Sequence, residues 1–199
     1  MLRYVLLFFA VLLAQPVRAN IMLSGATLTA PGATPVAVPP DLPERLLKQM
    51  NKAKSKFLED AAALILGYGT VDGIGPAGIE HFIASSRAEI RARAMARLLA
   101  GDLDNDGAVS GEELASLVAN ASATGRGRLQ LSFTLADADQ AGFVTAAELR
   151  AFGQTKALDL FDEAEANDWR QFMLFDLDGN GHVALPEVME VVSMLKQAG

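Results

Sequence analysis

The stretch DLDNDGAVSGEE, Asp102 to Glu113, decides how the rest of the chain is read. Aspartates stand at its first, third and fifth positions, glycine at the sixth, valine at the eighth and glutamate at the twelfth. The design returns twice: Asp137 to Glu148 reads DADQAGFVTAAE, and Asp176 to Glu187 reads DLDGNGHVALPE. All three segments share the aspartates at one and three, the glycine at six, the valine at eight and the closing glutamate. From Asp102 to Asp137 is 35 residues and from Asp137 to Asp176 is 39, room for an exiting helix, a turn and an entering helix. Such a period marks one supersecondary unit repeated along the chain.

A hard cation such as Ca2+ takes six to eight oxygens, and these segments are built to supply them. In the first, Asp102, Asp104 and Asp106 offer carboxylates and Ala108 its backbone carbonyl. Ser110 acts directly or through a water, and Glu113 closes the ring with both oxygens. The last segment offers Asp176, Asp178, Asn180, the carbonyl of His182, and Glu187, while Ala184 leaves position nine to backbone or solvent. The middle one offers Asp137, Asp139, the carbonyl of Phe143, and Glu148. Its fifth position is Ala141, so water has to fill that place and weaker binding is expected. Gly107, Gly142 and Gly181 allow the sharp turn, because glycine tolerates positive φ. Val109 and Val183 point inward, toward the equivalent residue of a partner loop.

Apolar residues flank each loop at helical spacing. Leu98 precedes the first, with Leu114, Leu117 and Val118 after it; Phe133 precedes the middle one, with Leu149 and Phe152 after it. Phe172 and Phe175 precede the last, with Val188, Val191 and Val192 following on one face. Farther upstream, Leu46, Met50, Ala53, Phe57, Ala61 and Leu64 keep the same amphipathic period. No run alternates like a strand, so the expected fold is all-α. A loop held between two apolar helix faces is the helix–loop–helix arrangement of an EF-hand. Residues from about 44 to 199 resemble EF-hand proteins of the calmodulin and calerythrin kind. The motif is highly specific at 102–113 and 176–187 and partial at 137–148. The resemblance implies calcium binding at the two complete loops, as the ligand chemistry does.

Hands of this family come in pairs, and three leave one unmatched. Stepping back 35 residues from Asp102 reaches Gly67, and 67–78 reads GYGTVDGIGPAG, with no carboxylate at positions one, three, five or twelve. Ile74 nevertheless falls at position eight, Ile79, Phe82 and Ile83 fall on the exiting face, and Ala63 and Leu66 on the entering one. This reads as a hand that has kept its packing and lost its ligands; the plainer alternative is a glycine-rich helix connection. Two lobes are expected, 44–120 pairing loop 67–78 with 102–113, and 129–199 pairing 137–148 with 176–187. NASATGRGR, Asn120 to Arg128, reads as their connection.

The N-terminus carries a separate message. Arg3, the apolar run Val5–Ala14 and the small-residue stretch Val17-Arg18-Ala19 form a secretory signal peptide, 1–19. The run is too short for a membrane span, which needs about 20 residues, so no stable anchor is expected after cleavage; an uncleaved anchor is the alternative. A proline-rich tether follows at 20–43. Export predicts a periplasmic or secreted protein. Loss of Arg3 and Arg18 with the leader takes the formal charge from −7 to −9. That acidity argues against nucleic acid as a partner, and the absence of cysteine removes disulfides and thiolate metal sites.

The remaining features point nowhere stronger. Arg87, Arg91, Arg93 and Arg97 read as a solvated helix face with Glu89–Arg93 pairing, or else as a docking patch. His81 and His182 are the only histidines, too few for a zinc site and without a catalytic setting, so no enzyme is expected. Met173, Met189 and Met194, with Phe152, Phe161 and Trp169, are core or an adaptable groove. The expectation is an exported calcium-binding protein, either a buffer or calcium-stabilised element, or a sensor that exposes such a groove to a protein partner.

Overall fold

The computed structural model describes residues 42–197. The leader 1–19 and nearly all of the tether 20–43 lie outside the described residues. Eight α-helices follow one another: α1 (Glu44–Lys52), α2 (Lys54–Tyr68), α3 (Pro76–Leu99), α4 (Gly111–Ala119), α5 (Ala123–Ala136), α6 (Ala146–Leu160), α7 (Glu163–Arg170) and α8 (Leu185–Gln197). A 3-10 turn, Gln171–Phe175, leads from α7 toward α8. Among the described residues the one sheet is a ribbon of two-residue strands, β1 (Val109–Ser110) and β2 (Phe143–Val144). The fold is all-α, as the helical periodicity requires. The apolar rhythm from Leu46 to Leu64 is divided between α1 and α2, with Ala53 exposed between them at φ −153°.

The chain divides into two compact units, His81–Ala166 and the residues up to Glu80 together with those from Asn167 onward. Within His81–Ala166, β1 and β2 run antiparallel, with Val109 opposite Val144 and Ser110 opposite Phe143. Both valines are wholly buried, among Leu98, Phe133, Ala136, Leu149 and Phe152. Burying side chains of this size contributes about 1.5–3 kcal/mol each. The core is thus assembled from the flanks of loops 102–113 and 137–148. Arg87 closes the C-terminus of α6: its Nε donates to the Phe161 carbonyl at 3.1 Å and its guanidinium pairs with Glu163 at 2.9 Å.

In the other unit, loop 67–78 meets loop 176–187. Ile74 N–H donates to the Val183 carbonyl at 3.0 Å and Val183 N–H to the Ile74 carbonyl at 2.8 Å. Phe57, Phe172 and Phe175 stack beneath, with ring centroids 6.0 Å apart for Phe57–Phe175 and 5.1 Å for Phe172–Phe175. Lys54 Nζ donates to the Val192 carbonyl at 3.0 Å, tying the start of α2 to α8. α3 opens on Pro76, whose missing N–H costs nothing at a first helical position.

Loops therefore pair as the inner two and the outer two, not as sequential halves, and the lobes expected at 44–120 and 129–199 are replaced by this nested arrangement. NASATGRGR is not a linker between lobes. Ser122 is an N-cap that accepts from Gly125 N–H at 3.2 Å, so the glycine- and arginine-rich stretch forms the beginning of α5. Only residues 120–122 then connect α4 to α5, and so short a connection makes the two helices antiparallel neighbours. The link 161–162 between α6 and α7 is shorter still, so link length alone does not choose the partner; the Val109–Val144 and Ile74–Val183 pairings do.

The hand at 67–78 keeps its register but not all of its packing. Ile74, Ile79, Phe82 and Ile83 are buried as expected, while Leu66 is 84% exposed. α2 runs on to Tyr68 and buries Leu64 and Ile65 instead. The loop is consequently tight, and Gly73 adopts φ +116° where a Cβ would stand 2.4 Å from the Val183 carbonyl oxygen.

Candidate metal centres

Each acidic loop is a set of oxygens held inward by the loop's own amides. Asp102 Oδ2 accepts from Gly107 N–H at 3.1 Å, Asp137 Oδ2 from Gly142 N–H at 3.1 Å, and Asp176 Oδ2 from Gly181 N–H at 2.9 Å. The glycines stand at φ +84°, +84° and +85°. Position four is also left-handed in all three loops, at Asn105 (φ +62°), Gln140 (φ +60°) and Gly179 (φ +73°). A glutamine in that region is uncommon. Its presence shows that loop 137–148 takes up the shape of the other two despite Ala141.

The closing glutamates do two things at once. Glu113 Oε1 accepts from Leu103 N–H at 2.8 Å and Oε2 from Ser110 N–H at 2.8 Å. Glu148 accepts from Ala138 N–H at 3.0 Å and Thr145 N–H at 2.9 Å, and Glu187 from Leu177 N–H at 2.7 Å and Ala184 N–H at 2.8 Å. Each glutamate thus draws the second residue of its loop toward the start of the exiting helix. Ser110 and Thr145 complete reciprocal capping boxes with Glu113 and Glu148 at the first turns of α4 and α6. The Ser110 hydroxyl donates to Glu113 at 2.9 Å, which ties it to the helix cap. Hydrogen bonds from the Ser110 and Thr145 backbones, ahead of other causes, hold the Glu113 and Glu148 carboxyls below the ordinary carboxylate value. Thr145 was not singled out from the sequence. The signal was present, because SGEE at 110–113 and TAAE at 145–148 both carry the Ser/Thr-x-x-Glu spacing of a capping box.

Three carboxylate clusters result, each with oxygens within 4.8 Å of one another: Asp102, Asp104 and Asp106; Asp137, Asp139 and Glu148; Asp176, Asp178 and Glu187. Asn180 joins the last through its neighbours, donating from Nδ2 to Asp178 at 3.0 Å and accepting from His182 N–H at 2.7 Å. Two like charges about 4 Å apart repel by about 1 kcal/mol in water and about 4 kcal/mol near a protein surface. The amide donors offset only part of that, so a cation is the natural complement. The sharpest indication is at Asp102, whose Oδ1 is buried without a hydrogen-bond partner. An orphaned carboxylate oxygen costs free energy that a hard cation recovers. The donors are all oxygen, which suits Ca2+ and excludes a soft metal. Loop 102–113 also borders an open hollow lined in part by Asp104, Asp106, Glu113 and Phe143.

The family model of the EF hand matches residues 97–118, which span the end of α3, the first acidic loop and most of α4. Residues 97–118 are thus an EF hand, and the acidic clusters support calcium binding. The comparisons with curated proteins and with solved structures gave no match. Loop 102–113 fits the ion with an oxygen-bearing side chain at positions one, three, five, nine and twelve; 176–187 lacks one at Ala184 and 137–148 lacks one at Ala141. Loop 67–78 has no acidic cluster among the described residues.

The features set aside in the sequence resolve locally. Glu89 and Arg93 pair, and Arg91 donates to Gln154 at 3.4 Å, so with Arg87 three of the four arginines serve contacts within their own unit. Phe152 and Phe161 are core residues, buried at 7% and 0% exposure, and therefore do not line an open groove.

Proposed function

We propose that this EF-hand chain is an exported calcium-binding protein, a buffer or a calcium-stabilised structural element, with no catalytic activity of its own. Its ligands are Asp102, Asp104, Asp106, the Ala108 carbonyl, Ser110 and Glu113 in one loop, and Asp176, Asp178, Asn180, the His182 carbonyl and Glu187 in another. Asp137, Asp139, the Phe143 carbonyl and Glu148 form a weaker third site. The observation that carries this reading is the common shape of the three loops, with positive φ at positions four and six and carboxylates gathered at their centres. Export is supported by the leader-like pattern of Arg3, the Val5–Ala14 run and Val17-Arg18-Ala19. Among the described residues no helix is long and apolar enough to cross a membrane. Extracellular sites of this kind bind with dissociation constants on the order of 10⁻⁴ to 10⁻³ M. Calcium then stabilises the fold by mass action. Millimolar calcium is expected to raise the melting temperature, and Asp102→Ala with Asp176→Ala to abolish the rise; an unchanged melting curve in the unmutated protein overturns the reading.

A sensor role is the rival reading, and one observation favours it. α4 has no fully buried side chain, so Leu114, Leu117 and Val118 are only half-covered, while Leu131 and Leu135 on α5 are 60% and 54% exposed. Apolar-dye binding with and without calcium separates the two, since a sensor gains dye and a buffer does not.

A further inference from the structure

Asn180–Gly181 is the one Asn–Gly step in the sequence. Each other described asparagine precedes a residue with a side chain: Asn51 before Lys52, Asn105 before Asp106, Asn120 before Ala121 and Asn167 before Asp168. A glycine leaves its own backbone nitrogen unhindered, and asparagine is among the thermolabile residues. Both Asn180 and Gly181 are exposed, and a Cβ built on Gly181 meets nothing within 4 Å.

The loop places a partner at each atom that a cyclisation of this pair would use. Gly181 N–H donates to Asp176 Oδ2 at 2.9 Å, so a carboxylate stands where the nucleophile's proton has to go. Asn180 Oδ1 accepts from His182 N–H at 2.7 Å, a donor aimed at the oxygen on which charge develops. Asn180 Nδ2, the leaving nitrogen, donates to Asp178 Oδ2 at 3.0 Å. We propose that Asn180 is a deamidation site, gated by whether loop 176–187 holds its cation; the gating rests on the calcium reading above.

The step balances without an oxidant or reductant. Gly181 N bonds to Asn180 Cγ as its proton passes to the Asp176 carboxylate. The Cγ–Nδ2 bond then breaks, and ammonia leaves with that proton. Water opens the resulting imide at either carbonyl, giving an aspartyl or an isoaspartyl residue. When the loop is loaded, the oxygens of Asp176 and Asn180 are committed to the cation, and the base and the carbonyl are withdrawn together. The two products differ in consequence. An aspartyl product matches Asp106, whose Oδ1 makes the same bond to Ala108 N–H at 2.7 Å. An isoaspartyl product lengthens the backbone just before Gly181, whose φ of +85° depends on the turn, and disables the loop.

The test incubates the full chain at mildly alkaline pH, in chelator or in calcium at about ten times the measured dissociation constant, and follows each asparagine peptide by mass spectrometry. If reaction needs the empty loop, calcium slows conversion at Asn180 about tenfold, in proportion to the unloaded fraction, while Asn105 and Asn167 stay unconverted. Asn180→Asp supplies the aspartyl product as a standard for the mass spectra. Calcium heats measured on the same preparation separate the two claims. Binding with an unchanged conversion rate overturns the gating alone, and absence of binding overturns the calcium reading and the gating with it. No preference for Asn180 over Asn105 in chelator overturns the site itself.

Discussion

Ile74 and Val183 exchange both backbone hydrogen bonds, at 3.0 and 2.8 Å, with each side chain wholly buried. A loop without acidic ligands thereby forms the wall of a loop that has them. Ile74→Ala is expected to cost about 2–5 kcal/mol of stability and to weaken calcium binding at 176–187, although residue 74 offers the ion nothing. Calcium heats from that site equal to those of the unmutated protein would contradict this coupling.

Two glycines in the same region predict opposite outcomes. Gly73 has φ +116°, and a Cβ there would lie 2.4 Å from the Val183 carbonyl oxygen, whereas a Cβ on Gly67 meets nothing within 4 Å. Gly73→Ala should destabilise by at least about 1–3 kcal/mol. Gly67→Ala, in the last turn of α2, should be neutral or stabilise by up to about 1 kcal/mol. Urea denaturation of both variants decides the matter, and equal midpoints would count against the described loop.

Ala141 is the one side-chain ligand position left vacant in loop 137–148. Its N–H already donates to Asp137 Oδ1 at 2.9 Å and to Asp139 Oδ1 at 3.0 Å, so the backbone there is in place. Ala141→Asp should therefore strengthen calcium binding at this loop by about tenfold, the worth of one charge-assisted contact of roughly 1.5 kcal/mol. A titration in which the third site stays as weak as before would show that the vacancy is not what limits it.

The depressed carboxyls of Glu113 and Glu148 set a pH dependence for the calcium-free protein. Their folded values lie below the ordinary 4.5, so the stability they contribute is complete above 4.5 and is lost as pH falls through the folded values. In chelator, the melting temperature should hold from neutral pH down to that point and drop below it. Glu113→Gln with Glu148→Gln, which removes the titrating carboxyls, should flatten the drop. A drop of the same size in that double variant would locate the effect elsewhere.

The acidic loops were legible in the sequence because the ion dictates both residue type and spacing. The same holds for the buried valines at position eight and the phenylalanines at 133, 172 and 175. Pairing was not legible. Every position-eight residue, Ile74, Val109, Val144 and Val183, is an inward aliphatic, and nothing in those residues says which meets which. The linker expected at Asn120–Arg128 was not there either, because the Ser122 cap turns most of it into helix and leaves three residues between α4 and α5. Leu66 misled for a related reason. Its alignment assumed that α2 stops where the other entering helices stop, and α2 continues to Tyr68.

Calorimetric titration of the full chain with calcium, repeated in excess magnesium, tests the central claim most directly. Two principal sites and a weaker third are expected, all persisting in magnesium, with the two principal heats removed by Asp102→Ala and Asp176→Ala respectively. Principal heats that survive both substitutions, or no heat at millimolar calcium, would contradict it.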